Sequence, residues 1–326
     1  MSFAAKLIAW QRRHGRRGLP WQGTRDPYRI WLSEVMLQQT QVAAVIPYYQ
    51  RFLEKYPTAA ALAGASEDEV LRLWSGLGYY ARGRNLHKAA VEIHEKGFPK
   101  TAAKIAQLPG IGRSTAAAIA AFAFGERAAI LDGNVKRVLS RCYGLSTEDE
   151  LWRKAERLLP QKGIETYTQA LMDLGATVCT RTPGCGACPV RTDCVARKTD
   201  RIGEFPVPRV KRELPLKKTT WFVYRHDGKV LLERRPSPGI WGGLWCFPEA
   251  AILKRTEGKK LAPIDHGFTH FRLRIQPLLC DVKSPDAKRG LWLDVSDAVD
   301  AALPTPVRKL LQDLPGNATR RGGGRR

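Results

Sequence analysis

Four cysteines within sixteen residues limit what this chain can fold into more than any other feature. Cys179, Cys185, Cys188 and Cys194 have the spacing C-x5-C-x2-C-x5-C. Thiolates this close in sequence chelate a thiophilic centre, which is either Zn²⁺ or an iron–sulfur cluster. A structural zinc site usually combines two separate C-x2-C pairs, whereas only one such pair is present here, so the spacing favours iron–sulfur. Disulfides are the weakest alternative, because nothing upstream has the composition of a secretory signal.

The net charge of the chain indicates a polyanionic partner. There are 54 Lys and Arg residues against 31 Asp and Glu, which gives a formal charge of +23. Each Lys or Arg on a phosphate releases condensed counterions, so nucleic acid is a stronger candidate than an anionic membrane surface or no polyanion at all. No stretch of about eighteen apolar residues occurs, and we expect no membrane-spanning segment. The Arg-rich N-terminus fits a first helix with Phe3, Leu7 and Trp10 on its apolar face better than a transit peptide.

A change of pattern near residue 200 predicts two domains. Residues 1–197 have apolar positions at helical spacing, with prolines such as Pro47 expected between successive helices. The polar, basic stretch 198–215 is the predicted linker, and residues 216–314 form the second domain. Residues 315–326 are rich in Gly and Arg and are expected to be a disordered basic tail. The predicted fold is a mainly α N-terminal domain followed by a small α+β domain.

The second domain carries strand and turn signals. Asp227-Gly228 separates two apolar, strand-like runs and predicts a tight hairpin. Phe271, Leu273 and Ile275 alternate with arginines, which predicts a half-buried strand. Thr305-Pro306 predicts the start of a short helix with the threonine as N-cap.

A glycine hairpin and two carboxylates are the candidate site residues of the first domain. Gly110 and Gly112, in LPGIG, let the backbone turn so that its amides bind phosphate at a helix N-terminus; a plain helix connection is the alternative. Asp132, in LDGN, is either a helix N-cap or an active carboxylate. Glu34 lies in WLSEVML, which is apolar on nearly every side, and burial raises the pKa of a carboxyl group. One protonated and one ionised carboxylate form the pair that breaks a glycosidic bond through a cationic sugar.

Together these segments resemble the helix-hairpin-helix DNA glycosylases, and in particular the adenine DNA glycosylases of the MutY type. The resemblance rests on WLSEVMLQQTQV at 31–42, GLGYYARGRNLHKAA at 76–90, LPGIG at 108–112, LDGNVKRVL at 131–139 and the four cysteines. It runs through the helical part almost without a break and resumes in the C-terminal third. It implies an enzyme that removes adenine mispaired with 8-oxoguanine or guanine and leaves an abasic site for base excision repair.

The resemblance also implies roles for single residues of the first domain. Glu34 would be the general acid that protonates the leaving adenine. Asp132 would stay ionised and stabilise the oxocarbenium sugar, with Asn134 in a supporting role. Gln38 would fill the space that the extruded base leaves, and Arg17 would lie near the adenine.

Two further positions bear on the DNA and on the type of glycosylase. Tyr79, the first tyrosine of GLGYYAR, would wedge beside the base opposite adenine. Ser114 stands where the related endonuclease III enzymes have a Schiff-base lysine, and a serine forms no such intermediate. This implies a monofunctional glycosylase, although Lys136, close by in sequence, leaves weak lyase activity open.

The four cysteines resemble the family's [4Fe–4S] ligands, and their first interval is one residue shorter than the family's C-x6-C-x2-C-x5-C. We expect the cluster to form and to shape a basic DNA-binding loop around Arg181, Arg191 and Arg197, with no role in bond cleavage. Residues 216–314 resemble the Nudix-like domain of this family. They lack the acidic REx2EE helix of true Nudix pyrophosphatases, so this domain is expected to bind and not to hydrolyse.

The 8-oxoguanine contact is predicted in the second domain. The family's Phe-Ser-His loop corresponds here to Phe268-Thr269-His270, in which threonine keeps the hydroxyl and adds a methyl group. The predicted partner is duplex DNA with an adenine·8-oxoguanine or adenine·guanine mispair, bound by a monomer at the nucleoid of a bacterial cytoplasm. The alternatives are an endonuclease III-like glycosylase–lyase and a catalytically silent DNA-binding module.

Overall fold

A computed structural model of the protein describes residues 1–207, 213–253, 258–283 and 290–314. The predicted basic tail, 315–326, lies outside the described residues, as does the middle of the predicted linker. Among the described residues, no helix combines the length and the apolar character that a membrane crossing requires.

The chain packs into two compact units. The first unit combines Met1–Gly64 with Asn85–Val210, and the second combines Ala65–Arg84 with Lys211–Arg326. The segment Ala65–Arg84 precedes most of the first unit in sequence but packs with the C-terminal third, because Leu71 joins the apolar core there. The domain limits drawn from the sequence remain a prediction.

Residues 1–207 are helical, as the spacing of their apolar residues predicts. The helices are α1 (Phe3–His14), α2 (Pro27–Leu37), α3 (Val42–Lys55), α4 (Ala59–Ala63), α5 (Glu67–Trp74), α6 (Ala81–Lys96), α7 (Ala102–Ile105), α8 (Arg113–Phe124), α9 (Gly133–Tyr143), α10 (Glu148–Arg157), α11 (Ile164–Thr177) and α12 (Val195–Lys198), with 3-10 turns at Cys185–Ala187 and Ile202–Glu204. Of these, α5 and the first turn of α6 belong to the second unit.

Capping residues fix where the site-bearing helices begin. Helix α2 starts at Pro27, and the side chain of Asp26 accepts a hydrogen bond from the Tyr28 amide at 2.9 Å. Helix α9 starts after Asp132 and ends at Gly144, whose φ of 67° closes the helix in the left-handed region. Helix α2 packs against α8, and α11 packs against α1, α8 and α9. Helix α2, which carries Glu34, and helix α9, which follows Asp132, are therefore connected through α8 and α11.

The position of Pro47 corrects the sequence analysis. Pro47 was expected between helices, but it lies inside α3. An interior proline removes one intrahelical hydrogen bond, and here the packing of Val45, Tyr49 and Phe52, all of them buried, maintains the helix on both sides of it.

The second unit is built on a mixed sheet. Its strands are β1 (Leu216–His226), β2 (Lys229–Arg234), β3 (Trp245–Cys246), β4 (Lys259–Lys260), β5 (Ile264–Gly267), β6 (Arg272–Asp281) and β7 (Leu291–Asp294), followed by helices α13 (Val295–Asp300) and α14 (Thr305–Asp313). The strand order is β3-β2-β1-β6-β4, with β5 paired to β6 and β7 paired to β2. Strands β1 and β6 are parallel and the neighbouring pairs are antiparallel.

The local predictions for this unit have different outcomes. The hairpin between β1 and β2 is confirmed, with Asp227 and Gly228 at φ values of 44° and 75°, as a tight turn of this kind requires. The alternation before and along β6 is also confirmed, since Phe271 and Leu273 are buried and Arg272 is exposed. Thr305 as N-cap is wrong. It already lies in the helix, and the extended residue before it is Pro304.

Candidate functional site

Glu34 lies on α2 and lines a cavity of the first unit. The cavity has a volume of about 550 Å³ and is also lined by Arg17, Trp21 and Phe122. Ligand sites commonly have volumes of roughly 300–1,000 Å³, and this cavity lies within that range. It is therefore large enough to hold a nucleobase. Glu34 is half-buried. Burial raises the pKa of its carboxyl group to about 8, and the negative charge of Asp132 adds to the rise. Glu34 therefore holds its proton at neutral pH.

Asp132 caps helix α9 and takes part in the same electrostatic site. Its Oδ1 accepts hydrogen bonds from the amides of Asn134 and Val135, each at 2.8 Å. Burial raises the pKa of Asp132, whereas these two amides and the positive charge of Arg137 oppose the rise. Of the two carboxyl groups, Asp132 is the one with donors that stabilise the ionised form.

Arg137, which the sequence analysis did not single out, connects three parts of the first unit. Its guanidinium donates to the Asn134 side-chain oxygen at 2.8 Å, to the Gly175 carbonyl at 2.5 Å and to the Cys179 carbonyl at 2.6 Å. A Cβ on Gly175 would lie 2.9 Å from the Asn134 carbonyl oxygen, so α11 and α9 approach closely at this point. The start of α9, the end of α11 and the first cysteine are thereby held together.

The glycine hairpin joins α7 to α8 and contacts the end of α2. Gly110 has a φ of 77°, and a Cβ there would lie 2.8 Å from the Cβ of Asn85. Gly112 precedes α8 with no side-chain cap, and it faces open space. Gln38 donates from Nε2 to Thr115 Oγ1 at 3.3 Å and to the Gly110 carbonyl at 3.5 Å. The candidate base-replacing glutamine and the candidate phosphate-binding turn are thus in contact.

Ser114 connects the hairpin helix with the segment that leads to Asp132. Its hydroxyl accepts a hydrogen bond from the Leu131 amide at 2.9 Å. Lys136, the nearby lysine in sequence, forms an ion pair with Glu148 at 2.8 Å. The serine therefore has a positioning contact of its own, and the lysine ammonium is engaged with a carboxylate.

The remaining predicted DNA contacts lie in the second unit. Tyr79 is 48% exposed and has a φ of 47°, unusual for a bulky residue. Phe268 stacks on Phe271 with a centroid distance of 4.4 Å, and its amide donates to the Phe271 carbonyl at 2.9 Å. This closes a tight loop whose exposed members are Thr269 and His270, with the Thr269 hydroxyl 3.3 Å from His270 Nδ1. Phe268 anchors the loop, and the two polar side chains face solvent.

One pocket of the first unit is lined by all four residues of the cysteine group, Cys179, Cys185, Cys188 and Cys194. The buried Arg141 also lines it, with Nη1 3.6 Å from Cys179 Sγ and 2.6 Å from the Thr180 carbonyl. A hydrogen bond with the thiol of Cys142 lowers the pKa of Cys194 to about 6. In the part of the chain that the structure describes, no group of three or more His, Cys, Asp or Glu side chains is placed to hold a metal ion.

Comparison with protein families finds two matching family models along the chain. Residues 32–161 match the HhH-GPD superfamily of base excision DNA repair proteins, and residues 219–313 match the NUDIX domain. The adenine DNA glycosylase of Buchnera aphidicola from Acyrthosiphon pisum is 35% identical, covering 97% of this chain and 98% of its own. The human adenine DNA glycosylase is 32% identical, covering 97% of this chain and 74% of its own. This chain belongs to the adenine DNA glycosylase family.

Solved structures support the helical fold. A thermostable thymine-DNA glycosylase is similar over 60% of this chain and 95% of its own, with a TM-score of 0.56 and 29% identity. An endonuclease III in a non-covalent DNA complex has a TM-score of 0.53 over 61% of this chain and 99% of its own, at 22% identity, which concerns the fold alone. The predicted mainly α glycosylase domain with a Nudix-like second domain is confirmed.

Proposed function

We propose that this protein excises adenine mispaired with 8-oxoguanine or guanine from duplex DNA by hydrolysing the N-glycosidic bond, as a monomer at the bacterial nucleoid. The observation that carries the proposal is a carboxyl group with a raised pKa on the wall of a cavity large enough for a nucleobase. Glu34 lines that cavity, its pKa is raised to about 8, and it interacts with the charge of Asp132. The membership of the chain in the adenine DNA glycosylase family supports the choice of base.

The two carboxyl groups divide the chemistry. Glu34 protonates a ring nitrogen of the extruded adenine, which turns the base into a neutral leaving group. Asp132 stays ionised through its two amide bonds and stabilises the positive charge that develops on the sugar. Water then adds to the sugar cation and gives a proton to the Glu34 carboxylate, which restores the acid, and an abasic site remains. Arg17, on the wall of the same cavity, contacts the adenine.

The DNA contacts divide between the two units. The hairpin amides at Gly110 and Gly112 bind a backbone phosphate without sequence preference. Gln38, beside the hairpin, enters the space that the flipped base leaves. Asn134 supports Asp132 through its amide. In the second unit, Tyr79 wedges beside the base opposite adenine, and Thr269 and His270 contact 8-oxoguanine, with Phe268 as the anchor of their loop.

The chemistry at position 114 supports a monofunctional enzyme. Ser114 offers no amine for a Schiff base, and its hydroxyl accepts a hydrogen bond from the Leu131 amide. The Lys136 ammonium is paired with Glu148. Excision is therefore expected to leave an abasic site with little strand cleavage.

The four cysteines fit a [4Fe–4S] cluster. All four line one pocket, and the buried guanidinium of Arg141 beside Cys179 offers positive charge to an anionic thiolate cluster. Each thiolate of such a cluster binds a different iron atom, so the four sulfurs need not converge on one ion. The bound cluster would supply structure and not bond cleavage. It would hold the exposed Arg181, Arg191 and Arg197 on a loop that contacts phosphate.

Single-turnover cleavage of a duplex carrying adenine opposite 8-oxoguanine tests the proposal. We expect strand breaks on the adenine strand only after hot alkali, and no action on a thymine-glycol duplex. Breaks without alkali, or action only on the oxidised pyrimidine, would instead indicate a glycosylase–lyase. A wild-type protein that binds the mispair and excises nothing would indicate a DNA-binding module.

A further inference from the structure

Tyr79 has a conformation that needs support from its surroundings. Its φ of 47° follows a φ of 77° at Gly78, so two successive residues lie in the left-handed region. For a tyrosine this backbone is unfavourable and persists only where neighbouring contacts enforce it. With 48% of the residue exposed, much of that support must come from the residues that hold the turn.

Arg82 contacts both the Tyr79 ring and the backbone of the turn that carries it. This arginine is 9% exposed, and its guanidinium carbon lies 5.3 Å from the Trp74 ring centroid and 5.4 Å from that of Tyr79. Its Nη2 also donates to the carbonyls of Leu77 and Gly78, each at 3.3 Å. The planar guanidinium thus binds the turn and the ring that the turn presents.

Tyr80 anchors the same turn to the C-terminal part of the second unit. Its hydroxyl donates to the Leu303 carbonyl at 2.9 Å and accepts from the Gly76 amide at 3.3 Å. The Ser75 hydroxyl donates to the same Leu303 carbonyl at 2.8 Å and accepts from Arg308 Nη2 at 3.0 Å. The turn that carries Tyr79 is therefore fastened at residues 75 and 80 to Leu303, which precedes α14.

We propose that the Leu303 carbonyl, through Tyr80, positions Tyr79 for insertion into DNA, so that the Nudix-like part of the chain contributes to adenine excision as well as to contact with the opposite base. The inference rests on the proposed function for the wedging role of Tyr79. Tyr80 is a positioning residue, since it acts through Tyr79.

The test uses the full chain and the variant Tyr80→Phe, which removes only the hydroxyl. Tyr224→Phe is the matched control, because the Tyr224 hydroxyl accepts from the amides of Ile252 and Leu253 in the same unit, away from the turn. One DNA strand carries 2-aminopurine next to 8-oxoguanine. The other strand carries a 2′-fluorinated adenosine, which resists excision, opposite the 8-oxoguanine. Wedge insertion unstacks the 2-aminopurine and raises its emission. In parallel, single-turnover excision is measured with cleavable DNA, and thermal unfolding is measured on the free protein.

Tyr80→Phe is expected to lower the emission change and to slow excision about threefold to tenfold, as the loss of the hydrogen bond to the Leu303 carbonyl implies. Tyr224→Phe should lower thermal stability comparably and leave both readouts unchanged. In a Tyr79→Leu background, Tyr80→Phe should have no further effect, since both changes remove the same interaction.

Two results would overturn the inference: an equal effect of Tyr80→Phe with and without Tyr79, or an equal effect of the two Phe variants on excision. A wild type that excises no adenine would remove the proposed function. The emission of the stable complex would then still show whether Tyr80 positions Tyr79. An emission change that Tyr79→Leu leaves intact would remove the wedge and the inference together, and excision by the wild type would stand.

Discussion

Replacing Glu34 with glutamine separates what this carboxyl group does for catalysis from what it costs the fold. Burial raises the pKa of Glu34 from 4.5 to about 8. At pH 7 the group is ionised in the unfolded chain but protonated in the folded protein, so folding takes up a proton. The contribution of Glu34 to stability is therefore complete below about pH 4.5, and it is lost progressively as the pH rises through about 8.

The size of the effect follows from the difference between the two pKa values. Each pH unit between them lowers the free energy of unfolding by about 1.4 kcal/mol. At pH 7 the loss relative to pH 4.5 is about 3 kcal/mol. Glutamine has nearly the same shape and does not titrate. Glu34→Gln should match the wild type near pH 4.5, exceed its stability by about 3 kcal/mol at pH 7, and excise adenine about 10²–10⁴-fold more slowly.

Urea unfolding of both proteins at several pH values, followed by far-ultraviolet circular dichroism, measures this difference. Glu165→Gln is the matched control, because Glu165 lines the same cavity but pairs with Arg25 at 2.9 Å near the surface. Its loss should change stability by less than about 1 kcal/mol. A Glu34→Gln variant no more stable than the wild type at pH 7, or one whose advantage is the same at every pH, would refute the raised pKa of Glu34.

Three further changes test the other parts of the site. Asp132→Asn should keep the cap of α9 and mispair binding but slow excision about 10²–10³-fold, measured by single turnover, because the neutral amide stabilises no cation; loss of binding or of fold would contradict this. Arg137→Lys should lose the paired contacts to the Cys179 and Gly175 carbonyls and slow excision about tenfold; an unchanged rate would show that this link does not position the carboxylate. Thr269→Ala with His270→Ala should reduce the preference for 8-oxoguanine over guanine in competitive excision, and an unchanged preference would refute the loop's assignment.

Local signals were sufficient where neighbouring residues determine the structure. The helix around Glu34 follows from a capping aspartate, a proline at the first turn and an apolar run. The hairpin at Asp227-Gly228 follows from two residues that tolerate positive φ. Thr305 was misplaced by one residue, because a threonine before a proline is compatible with either the cap or the first helical position.

Contacts between distant segments had no comparable signal. The packing of Ala65–Arg84 with the C-terminal third depends on pairs such as Asp68 with the Trp245 indole at 2.9 Å, and no local pattern relates these residues. Arg137 lies in a recognisable segment, yet its bonds to Gly175 and Cys179 arise only when α11 closes on α9. In sequence it is one more basic residue in a chain with a charge of +23.

The two sequence-based interpretations of Asp132, a helix cap and an active carboxylate, are not alternatives. The amides of Asn134 and Val135 that a cap satisfies are also the donors that favour the ionised carboxylate in a buried place. Among the described residues, no such donors lower the pKa of Glu34, which lies inside α2, and burial raises that pKa to about 8. In the proposed mechanism, the position of each carboxyl group relative to a helix therefore separates the general acid Glu34 from the charge-stabilising Asp132, and the capping contact that starts α9 favours the ionised carboxylate that a sugar cation requires.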